Sequence, residues 1–357
     1  MSEPLNAEEA FVGTVEPEGA DRLDEARLAE WMSANVAGFA GPLHLTKFKG
    51  GQSNPTYKIT AASGNYVLRR KPFGQLLPSA HAVDREYRVQ AGLQRAGFPV
   101  APQYGLCTDE SVVGAMFYVM GMIDGRTIWD GAMPGDAPAY RRATYEAMID
   151  TLAQLHSVDV AAAGLSEYGK PGNYFGRQID RWTKQYRLAE TETIPEVERL
   201  IEWLPATMPE QTRTSVVHGD YRIDNMIYAA DRPQVLAVLD WELSTLGDPL
   251  ADLTYVAMAW VTDNAGRSGV ADLDRPALGI PELSEMVERY CAATGRDSVP
   301  DMNWYFAYNL FRLTGILQGI KKRVIDGTAS SSHAKEQSER VGPLAERAWE
   351  FAVKTGG

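Results

Sequence analysis

The stretch from Val216 to Glu242, VVHGDYRIDNMIYAADRPQVLAVLDWE, constrains the fold of this chain more than any other part of the sequence. Short apolar runs alternate in it with polar turns, a pattern typical of short strands joined by loops. His218 and Asp220 lie in the first loop, Asn225 follows five residues after Asp220, and Asp240 comes directly after the last apolar run. The stretch therefore predicts a strand, a loop, two more strands joined by a turn, and a carboxylate at the final strand end.

The polar residues of this unit are of the kinds that ATP-dependent phosphoryl transfer requires. In that reaction one carboxylate orients the attacking hydroxyl, and an amide with a second carboxylate holds the magnesium ions. We interpret Asp220 as the catalytic base, or as the group that orients the substrate hydroxyl. Asn225 and Asp240 are the proposed Mg²⁺ ligands, because Mg²⁺ prefers hard oxygen donors. Glu242 is either an auxiliary ligand or a surface residue, and a turn-rich hairpin without catalysis is the alternative for the whole stretch.

The spacing is that of the protein-kinase catalytic loop, a His-x-Asp with an Asn five residues past the Asp. Gly219 stands where protein kinases carry Arg, and Asp-Trp-Glu at 240–242 stands where they carry Asp-Phe-Gly. With these residues the chain resembles the aminoglycoside phosphotransferase and choline-kinase-like family of small-molecule kinases. The resemblance implies an α+β, bilobal protein-kinase-like fold with an antiparallel-sheet N-lobe and a mainly helical C-lobe. It also implies ATP and Mg²⁺ as cofactors and a small-molecule hydroxyl substrate.

Two neighbouring residues take structural roles from this resemblance. His218 is expected to support the catalytic loop from beneath, and Asp252, in GDPLADL, to hydrogen-bond the backbone of that loop. Asp252 comes only twelve residues after Asp240, and no Ala-Pro-Glu follows. No long activation segment fits in that interval, which argues against a protein kinase that is regulated by loop phosphorylation.

Composition narrows the range of partners. The chain has 357 residues, 45% of them hydrophobic, which supports a full-sized core. A net charge of −12 argues against nucleic-acid binding, and no apolar run approaches the ~18 residues of a membrane span. The N-terminus has no signal-peptide pattern, and Cys107 and Cys291 are far apart. We expect a cytoplasmic protein with free thiols and without nucleic-acid or membrane partners; its oligomeric state, monomer or homodimer, stays open.

Periodicity divides the chain into three predicted segments. Residues 1–22 form a loose leader, residues 23–123 an N-lobe that binds nucleotide phosphates, and residues 124–357 a helical C-lobe with the catalytic and metal loops. The N-lobe elements are a helix at 21–36, strands at 43–48, 56–60 and 66–71, a helix at 84–97 with a Gly97 C-cap, and strands near 104–108 and 115–121. The C-lobe helices are predicted at 138–157, 173–188, 195–205, 248–261, 282–294, 300–325 and 333–354.

The segment KGGQSN at 49–54 joins two predicted strands. Gly50 and Gly51 let the backbone approach phosphates closely, and Ser53 and Asn54 offer further donors to a phosphate. The pattern departs from the Gly-x-Gly-x-x-Gly of protein kinases, so a plain hairpin turn is the alternative. We interpret the segment as a nucleotide-binding loop because of the motif downstream.

Kinases place a cation on the third N-lobe strand and pair it with a Glu on the following helix. Arg69, in YVLRRK, is at the matching position, and Glu86 is its natural partner; an Arg can make a bidentate pair and still reach phosphate oxygens. Lys71 is the alternative if the register slips. The segment MGMIDGRT at 120–127 is the predicted hinge, whose Met120 and Met122 are assigned to nucleotide binding.

Three further segments, LRRKPFGQLLPSAHAVDREYRV, GGQSNPTY and GILQGIKKR, narrow the resemblance. They look like the phosphotransferase domain associated with acyl-CoA dehydrogenase family members. That resemblance implies a hydroxyacyl-CoA acceptor, whereas the chain lacks the length for a flavin-binding dehydrogenase domain beside a kinase. The alternatives are an aminoglycoside or amino-alcohol kinase, and a non-catalytic nucleotide-binding pseudokinase.

The acceptor side has one basic cluster, in NLFRLTGILQGIKKRVIDG at 309–327. Arg312, Lys321, Lys322 and Arg323 supply positive charge along a predicted helix. One hypothesis is that these residues contact the phosphates of a CoA ester. The alternative is that they complement the dipole at the C-terminus of the helix.

Overall fold

The computed structural model describes residues 13–49, 54–74, 81–265, 267–328 and 334–357. An antiparallel sheet forms the N-terminal part, and the C-terminal part is mainly helical. This is the α+β, bilobal arrangement that the sequence predicted. Gly50, Gly51 and Ser53, three residues of the predicted nucleotide-binding loop, lie outside the described residues.

The N-lobe is built on a six-stranded sheet. Its strands are β1 (Thr14–Val15), β2 (Leu43–Phe48), β3 (Thr56–Ala61), β4 (Gly64–Arg70), β5 (Gln103–Cys107) and β6 (Phe117–Gly121). They lie in the order β1-β2-β3-β4-β6-β5, and every neighbouring pair is antiparallel. Five strands were predicted, and the sixth, β1, pairs with one edge of β2. A two-residue strand is too short to show periodicity, so the sequence did not reveal it.

The described part of the predicted leader is attached to this sheet. Lys47 Nζ donates to Asp21 Oδ2 over 2.5 Å, and the Tyr57 hydroxyl donates to the Asp21 carbonyl oxygen over 3.0 Å. Arg70 Nη2 lies 3.4 Å from Asp21 Oδ1. Residues 13–22 therefore belong to the N-lobe, which corrects the prediction of a loose leader for this part of it.

Two helices accompany the sheet, α1 (Glu25–Asn35) and α2 (Val83–Arg95). Helix α2 ends at Arg95 with Ala96 as its C-cap, and the predicted cap residue Gly97 follows directly, with a φ of +73° that suits glycine. The residues Val89 and Leu93 of α2 belong to the hydrophobic core of the C-lobe. At Gly92 a Cβ atom would lie 2.8 Å from the carbonyl oxygen of Ala163, so α2 packs closely on the C-lobe. The helix thus ties the two lobes together.

The C-lobe is a group of helices around one large core. The helices are α3 (Pro138–His156), α4 (Tyr174–Ala189), α5 (Pro195–Ala206), α6 (Leu250–Ala257), α7 (Arg275–Leu278), α8 (Leu283–Thr294), α9 (Asn303–Ile325), α10 (Ala334–Glu339) and α11 (Val341–Lys354). The predicted helix at 248–261 is α6 followed by a 3₁₀ turn at Met258–Val261, and the one at 333–354 is divided into α10 and α11. None of the helices in the described ranges is long and apolar enough to cross a membrane.

Short strands interrupt the helices where the sequence predicted the catalytic unit. They are β7 (Arg126–Thr127), β8 (Ser215–Val217), β9 (Met226–Tyr228), β10 (Val235–Val238) and β11 (Thr245–Gly247). One small sheet has the order β10-β9-β7, and the other pairs β11 with β8. The loop after β8 carries Asp220, and the turn between β10 and β11 carries Asp240. These pairings therefore bring the two loops side by side.

Candidate active site

The loop that follows β8 is held in shape from within. His218 is fully buried, its Nε2 is 2.8 Å from the carbonyl oxygen of Leu239, and its Nδ1 is 3.2 Å from the backbone nitrogen of Asp220. A carbonyl only accepts and an amide N–H only donates, so the imidazole is neutral with its proton on Nε2. Gly219 has a φ of +85°, and a Cβ there would lie 2.8 Å from the Leu243 carbonyl oxygen. The loop therefore requires glycine at this position.

Asp252, at the start of α6, holds the same loop from the other side. Its Oδ2 accepts from the backbone N–H of His218 over 2.6 Å, and its Oδ1 accepts from the backbone N–H of Gly219 over 2.8 Å. His156 Nε2 lies 3.3 Å from Oδ2. Asp252 is buried and has the structural role that the resemblance implied.

Asp220 and Asn225 contact each other directly. Asn225 Nδ2 donates to the carbonyl oxygen of Asp220 over 2.8 Å and to its Oδ2 over 3.0 Å. Both contacts use the amide nitrogen, so the amide oxygen of Asn225, an atom of the type that Mg²⁺ prefers, takes no part in them. A 3₁₀ turn at Ile223–Asn225 fixes this geometry.

The pKa of Asp220 is set by opposing influences. Burial raises it, but the positive charges of Arg222 and Arg312 and a hydrogen bond from Tyr255 outweigh burial and hold the pKa below its usual value. Arg222 Nε lies 3.5 Å from Asp220 Oδ1. Asp220 is therefore a carboxylate at neutral pH and a weak base. This suits a reaction in which the position of the hydroxyl matters more than the strength of the base.

Asp240 follows β10 in a left-handed backbone conformation, with φ and ψ both 63°. A non-glycine residue in this conformation is strained, and such strain is concentrated at functional sites. The Asp240 side chain is 39% exposed, and its Oδ1 lies 3.3 Å from Arg69 Nη2. A 3₁₀ turn follows Asp240, so the chain from Asp240 to Glu242 is not extended. The two carboxylates are nevertheless close, because Glu242 Oε2 is 3.7 Å from the same Arg69 nitrogen.

The predicted pairing of Arg69 with Glu86 is present, with Arg69 Nε 2.8 Å from Glu86 Oε2. Tyr118 donates its hydroxyl to the same carboxylate oxygen over 3.1 Å. Burial would lower the pKa of Arg69, but Glu86, Tyr118 and Asp240 raise it above its usual value, so the guanidinium stays charged. Arg69 thus links the N-lobe helix to the predicted metal loop.

The remaining N-lobe predictions have different outcomes. Asn54 was predicted as a phosphate donor, but it is fully buried; its Nδ2 donates to Glu86 Oε1 over 2.7 Å and its Oδ1 lies 3.0 Å from His81 Nδ1. Asn54 therefore positions Glu86, which corrects its predicted role. Met120 is the penultimate residue of β6, opposite Val67 and Gln103, and Met122 follows the strand. Both methionines are half-buried at the predicted hinge.

The basic cluster on α9 does not behave as one surface. Lys321 pairs with Glu192, and Lys322 Nζ lies 2.6 Å from Asp326 Oδ1. Arg312 is buried and donates from Nη2 to the carbonyl oxygen of Gly219 over 2.7 Å. The charges of the two lysines are thus balanced locally, and Arg312 supports the catalytic loop.

Two residues next to Asp220 were missed by the sequence analysis. Arg222 is in the same loop, two residues after Asp220, so the sequence alone could have indicated that the two side chains interact. Tyr255, on α6, is thirty-five residues away in sequence, and nothing in its local pattern indicates a contact with Asp220. Burial and Asp220 raise the pKa of Tyr255 well above its usual value, so its hydroxyl remains protonated and able to donate a hydrogen bond.

The fold and these two loops define a phosphotransferase of the protein-kinase-like class. The profile of the phosphotransferase enzyme family matches residues 44–293, so the chain belongs to that family.

Proteins with curated descriptions resemble nearly the whole chain. Acyl-CoA dehydrogenase family member 10 of Mus musculus is 47% identical over 318 residues, which cover 88% of this chain and 30% of that protein. Acyl-CoA dehydrogenase family member 11 of Gallus gallus is 40% identical over 351 residues, which cover 96% of this chain and 45% of that protein. The chain thus spans less than half the length of these relatives.

Solved structures agree with the fold. A protein of Ralstonia eutropha JMP134 described as an aminoglycoside phosphotransferase is 49% identical, with a TM-score of 0.87 over 93% of this chain and 99% of that chain. The hygromycin-B-bound aminoglycoside phosphotransferase APH(4)-Ia has a TM-score of 0.57 over 92% of this chain and 98% of that chain. Its identity is 14%, so that likeness concerns the fold alone.

Proposed function

We propose that this chain is an ATP- and Mg²⁺-dependent kinase that transfers the γ-phosphate of ATP to a hydroxyl of a small molecule. The observation that carries the proposal is a continuous set of contacts from Glu86 through Arg69 to Asp240, beside the Asp220–Asn225 pair. Every residue type that phosphoryl transfer requires is present in it. A complete set favours catalysis over a non-catalytic nucleotide-binding role.

In this proposal Asp220 accepts a hydrogen bond from the acceptor hydroxyl and takes its proton. The hydroxyl oxygen forms a bond to the γ-phosphorus while the bond from that phosphorus to the bridging oxygen of ADP breaks. The amide oxygen of Asn225 and the carboxylate of Asp240 hold Mg²⁺, which neutralises phosphate charge when it is bound. Arg69, kept in place by Glu86, reaches phosphate oxygens as a fixed cation.

The nucleotide lies between the lobes in this proposal. Residues 23–123 hold its phosphates, and the hinge residues Met120 and Met122 contact the base. Gly50, Gly51 and Ser53 are proposed to approach the phosphates.

For the acceptor we propose a hydroxyacyl-CoA. The relatives with 47% and 40% identity carry the name acyl-CoA dehydrogenase, which supports an acyl-CoA ligand for a domain shared with them. The 49%-identical structure carries the name aminoglycoside phosphotransferase, and this observation supports the second candidate, an aminoglycoside or amino-alcohol kinase.

Transfer of radiolabelled phosphate from ATP to hydroxyacyl-CoAs, aminoglycosides and choline-like alcohols tests both candidates. We expect Mg²⁺-dependent labelling of a hydroxyacyl-CoA and none with the Asp220→Asn variant. Labelling of aminoglycosides alone would establish the second candidate. Nucleotide binding without labelling of any of these acceptors would contradict the proposed transfer to them.

A further inference from the structure

A cavity of about 850 Å³ opens beside the catalytic loop. Its wall includes Tyr221, Arg222 and Ile223, the three residues that follow Asp220 in the chain. Tyr255, whose hydroxyl forms a hydrogen bond with Asp220, lines it as well. Neighbours of Asp220 thus line the cavity, although Asp220 itself is not among the lining residues.

Part of the inner surface of the cavity is apolar. Among its lining residues, Met148, Val256 and Met258 are buried members of the C-lobe core, and Leu313 and Leu344 pack against that core. Contact with such a surface stabilises an alkyl or acyl chain through the removal of apolar area from water. A highly hydroxylated, cationic sugar gains little from it.

The lining also contains cations from two separate parts of the chain. Arg340 precedes α11, and Arg347 lies seven residues further, on the same face of that helix. Arg267 comes from a loop whose backbone is fixed, because its carbonyl oxygen accepts from Gly131 N over 2.9 Å and from Asn264 Nδ2 over 2.8 Å.

The charge of these arginines is only partly balanced. Arg347 is paired with Glu350 over 2.6 Å, whereas neither Arg267 nor Arg340 forms an ion pair within the described ranges of the chain. Two carboxylates, Asp263 and Glu336, also line the cavity, against four arginines including Arg222. Unpaired cations gathered at one cavity are unexpected in a chain with a net charge of −12. Such a group attracts an anionic ligand and disfavours a cationic one.

We propose that this cavity is the acceptor site and that Arg267 and Arg340 bind a phosphate-bearing end of the acceptor. The apolar arm of the acceptor lies on the inner surface, and its hydroxyl reaches Asp220. This inference rests on the proposed kinase function and chooses among its acceptor classes. It also means that the acceptor phosphates are bound by Arg267 and Arg340. The basic residues Lys321, Lys322 and Arg323 are not the binding cations in this proposal.

The test uses two acceptors with the same acyl-pantetheine portion, a hydroxyacyl-CoA and the corresponding hydroxyacyl-pantetheine, which lacks the phosphates together with the adenosine that carries them. We expect the double variant Arg267→Ala/Arg340→Ala to raise KM for the CoA ester on the order of ten-fold, because it removes charge-assisted hydrogen bonds. KM for the pantetheine ester, KM for ATP and kcat stay as in the wild type. Added salt raises the wild-type KM for the CoA ester and changes that of the double variant less.

Two further variants make the result specific. The matched control is Arg199→Ala/Arg232→Ala, which removes two arginines that do not line the cavity, and its KM values equal those of the wild type. The second variant, Lys321→Ala/Lys322→Ala/Arg323→Ala, tests whether the α9 cluster binds the acceptor phosphates instead. A rise in KM for the CoA ester in this triple variant, without a rise in the double variant, overturns the proposal in favour of the α9 cluster.

The failure of this inference is distinguishable from the failure of the proposed function. If the wild type phosphorylates the CoA ester and the double variant keeps its KM, the role of Arg267 and Arg340 is overturned and the kinase activity stands. If the wild type phosphorylates an aminoglycoside faster than any anionic acceptor, the role of Arg267 and Arg340 is also overturned and the kinase activity stands. If the wild type transfers phosphate to no acceptor of the panel, both proposals fail.

Discussion

Arg312 donates a hydrogen bond from Nη2 to the carbonyl oxygen of Gly219 over 2.7 Å. The guanidinium lies over the ring of Tyr255, 5.0 Å from its centre, and over that of Trp182 at 5.7 Å. Helix α9 is thus joined to the residue immediately before Asp220. The position of the proposed catalytic carboxylate therefore depends on a side chain ninety-two residues further along the chain.

We expect Arg312→Met to lower kcat roughly ten-fold while KM for ATP stays unchanged, because the loop loses an anchor on its acceptor side and not on its nucleotide side. The Gly219 carbonyl loses its donor, which lowers the free energy of unfolding by about 1–3 kcal/mol. Steady-state kinetics and urea denaturation measure the two effects. A loss of stability with normal kcat would restrict Arg312 to a structural role.

Asp252→Ala leaves the buried backbone amides of His218 and Gly219 without an acceptor. Each orphaned amide is expected to lower the free energy of unfolding by about 1–3 kcal/mol. Urea denaturation measures the change, and Asp297→Ala, at an exposed aspartate, is the control. Equal stability of the two variants would show that the carboxylate is not needed to hold the loop.

The lowered pKa of Asp220 predicts the pH dependence of activity and of stability. Its folded-state pKa is below its unfolded value of about 4, so its contribution to stability is present above that value and is lost as the pH falls through the folded pKa. Arg222→Gln removes the largest influence that opposes burial, so the pKa of Asp220 rises and the acid limb of kcat moves to higher pH. Profiles of kcat between about pH 4 and pH 8 test this; superimposable profiles contradict it.

Asp220→Ala is expected to reduce kcat on the order of 10²-fold or more, because a positioned base or orienting group is lost. Nucleotide still binds, since Asp220 is proposed to face the acceptor hydroxyl. Single-turnover transfer and calorimetric titration with a non-hydrolysable ATP analogue separate the two effects. Near-normal turnover would show that Asp220 is not the catalytic residue.

Asp240→Asn should weaken Mg²⁺-dependent nucleotide binding more than Asn225→Ala does. The first change removes a formal negative charge from a hard-cation site, and the second removes a neutral oxygen donor. Calorimetric titrations of nucleotide with and without Mg²⁺ measure the difference. If wild type and Asp240→Asn depend equally on Mg²⁺, Asp240 is not a ligand.

The sequence predicted those features that depend on short stretches of chain. Alternating apolar residues identified five of the six N-lobe strands, because one face of each strand is buried in an antiparallel sheet. The predicted order of a third strand followed by a helix assigned Arg69 and Glu86 as a pair, and the structure contains this ion pair. The spacing of the protein-kinase catalytic loop, with Asn five residues past Asp, assigned Asp220 and Asn225 to one site, and in the structure their side chains are in contact.

Predictions that depended on what surrounds a side chain were less successful. Asn54 was assigned to phosphate because it follows a glycine pair, yet in the fold it is enclosed beside Glu86 and His81. Contact of the α9 cluster with the acceptor was one hypothesis, beside a role at the helix dipole, and in the fold Lys321 and Lys322 are paired with neighbouring carboxylates. The contacts of Asn54 and the pair of Lys321 with Glu192 cannot be read from a local pattern, because their partners come from other segments. The pair of Lys322 with Asp326 is local, four residues apart on one helix.

The sequence by itself determined the class of fold and the proposed centre of the chemistry, because residue spacing and hydrophobic periodicity act over a few residues and report directly on strands, helices and loops. Only the tertiary structure decided which distant groups surround that centre. Tyr255 and Arg312 meet Asp220, and Arg267 and Arg340 meet at one cavity, because packing of the C-lobe core brings separate helices and loops together. Burial and charge at the site are consequences of that packing, and they are what distinguishes one acceptor class from another.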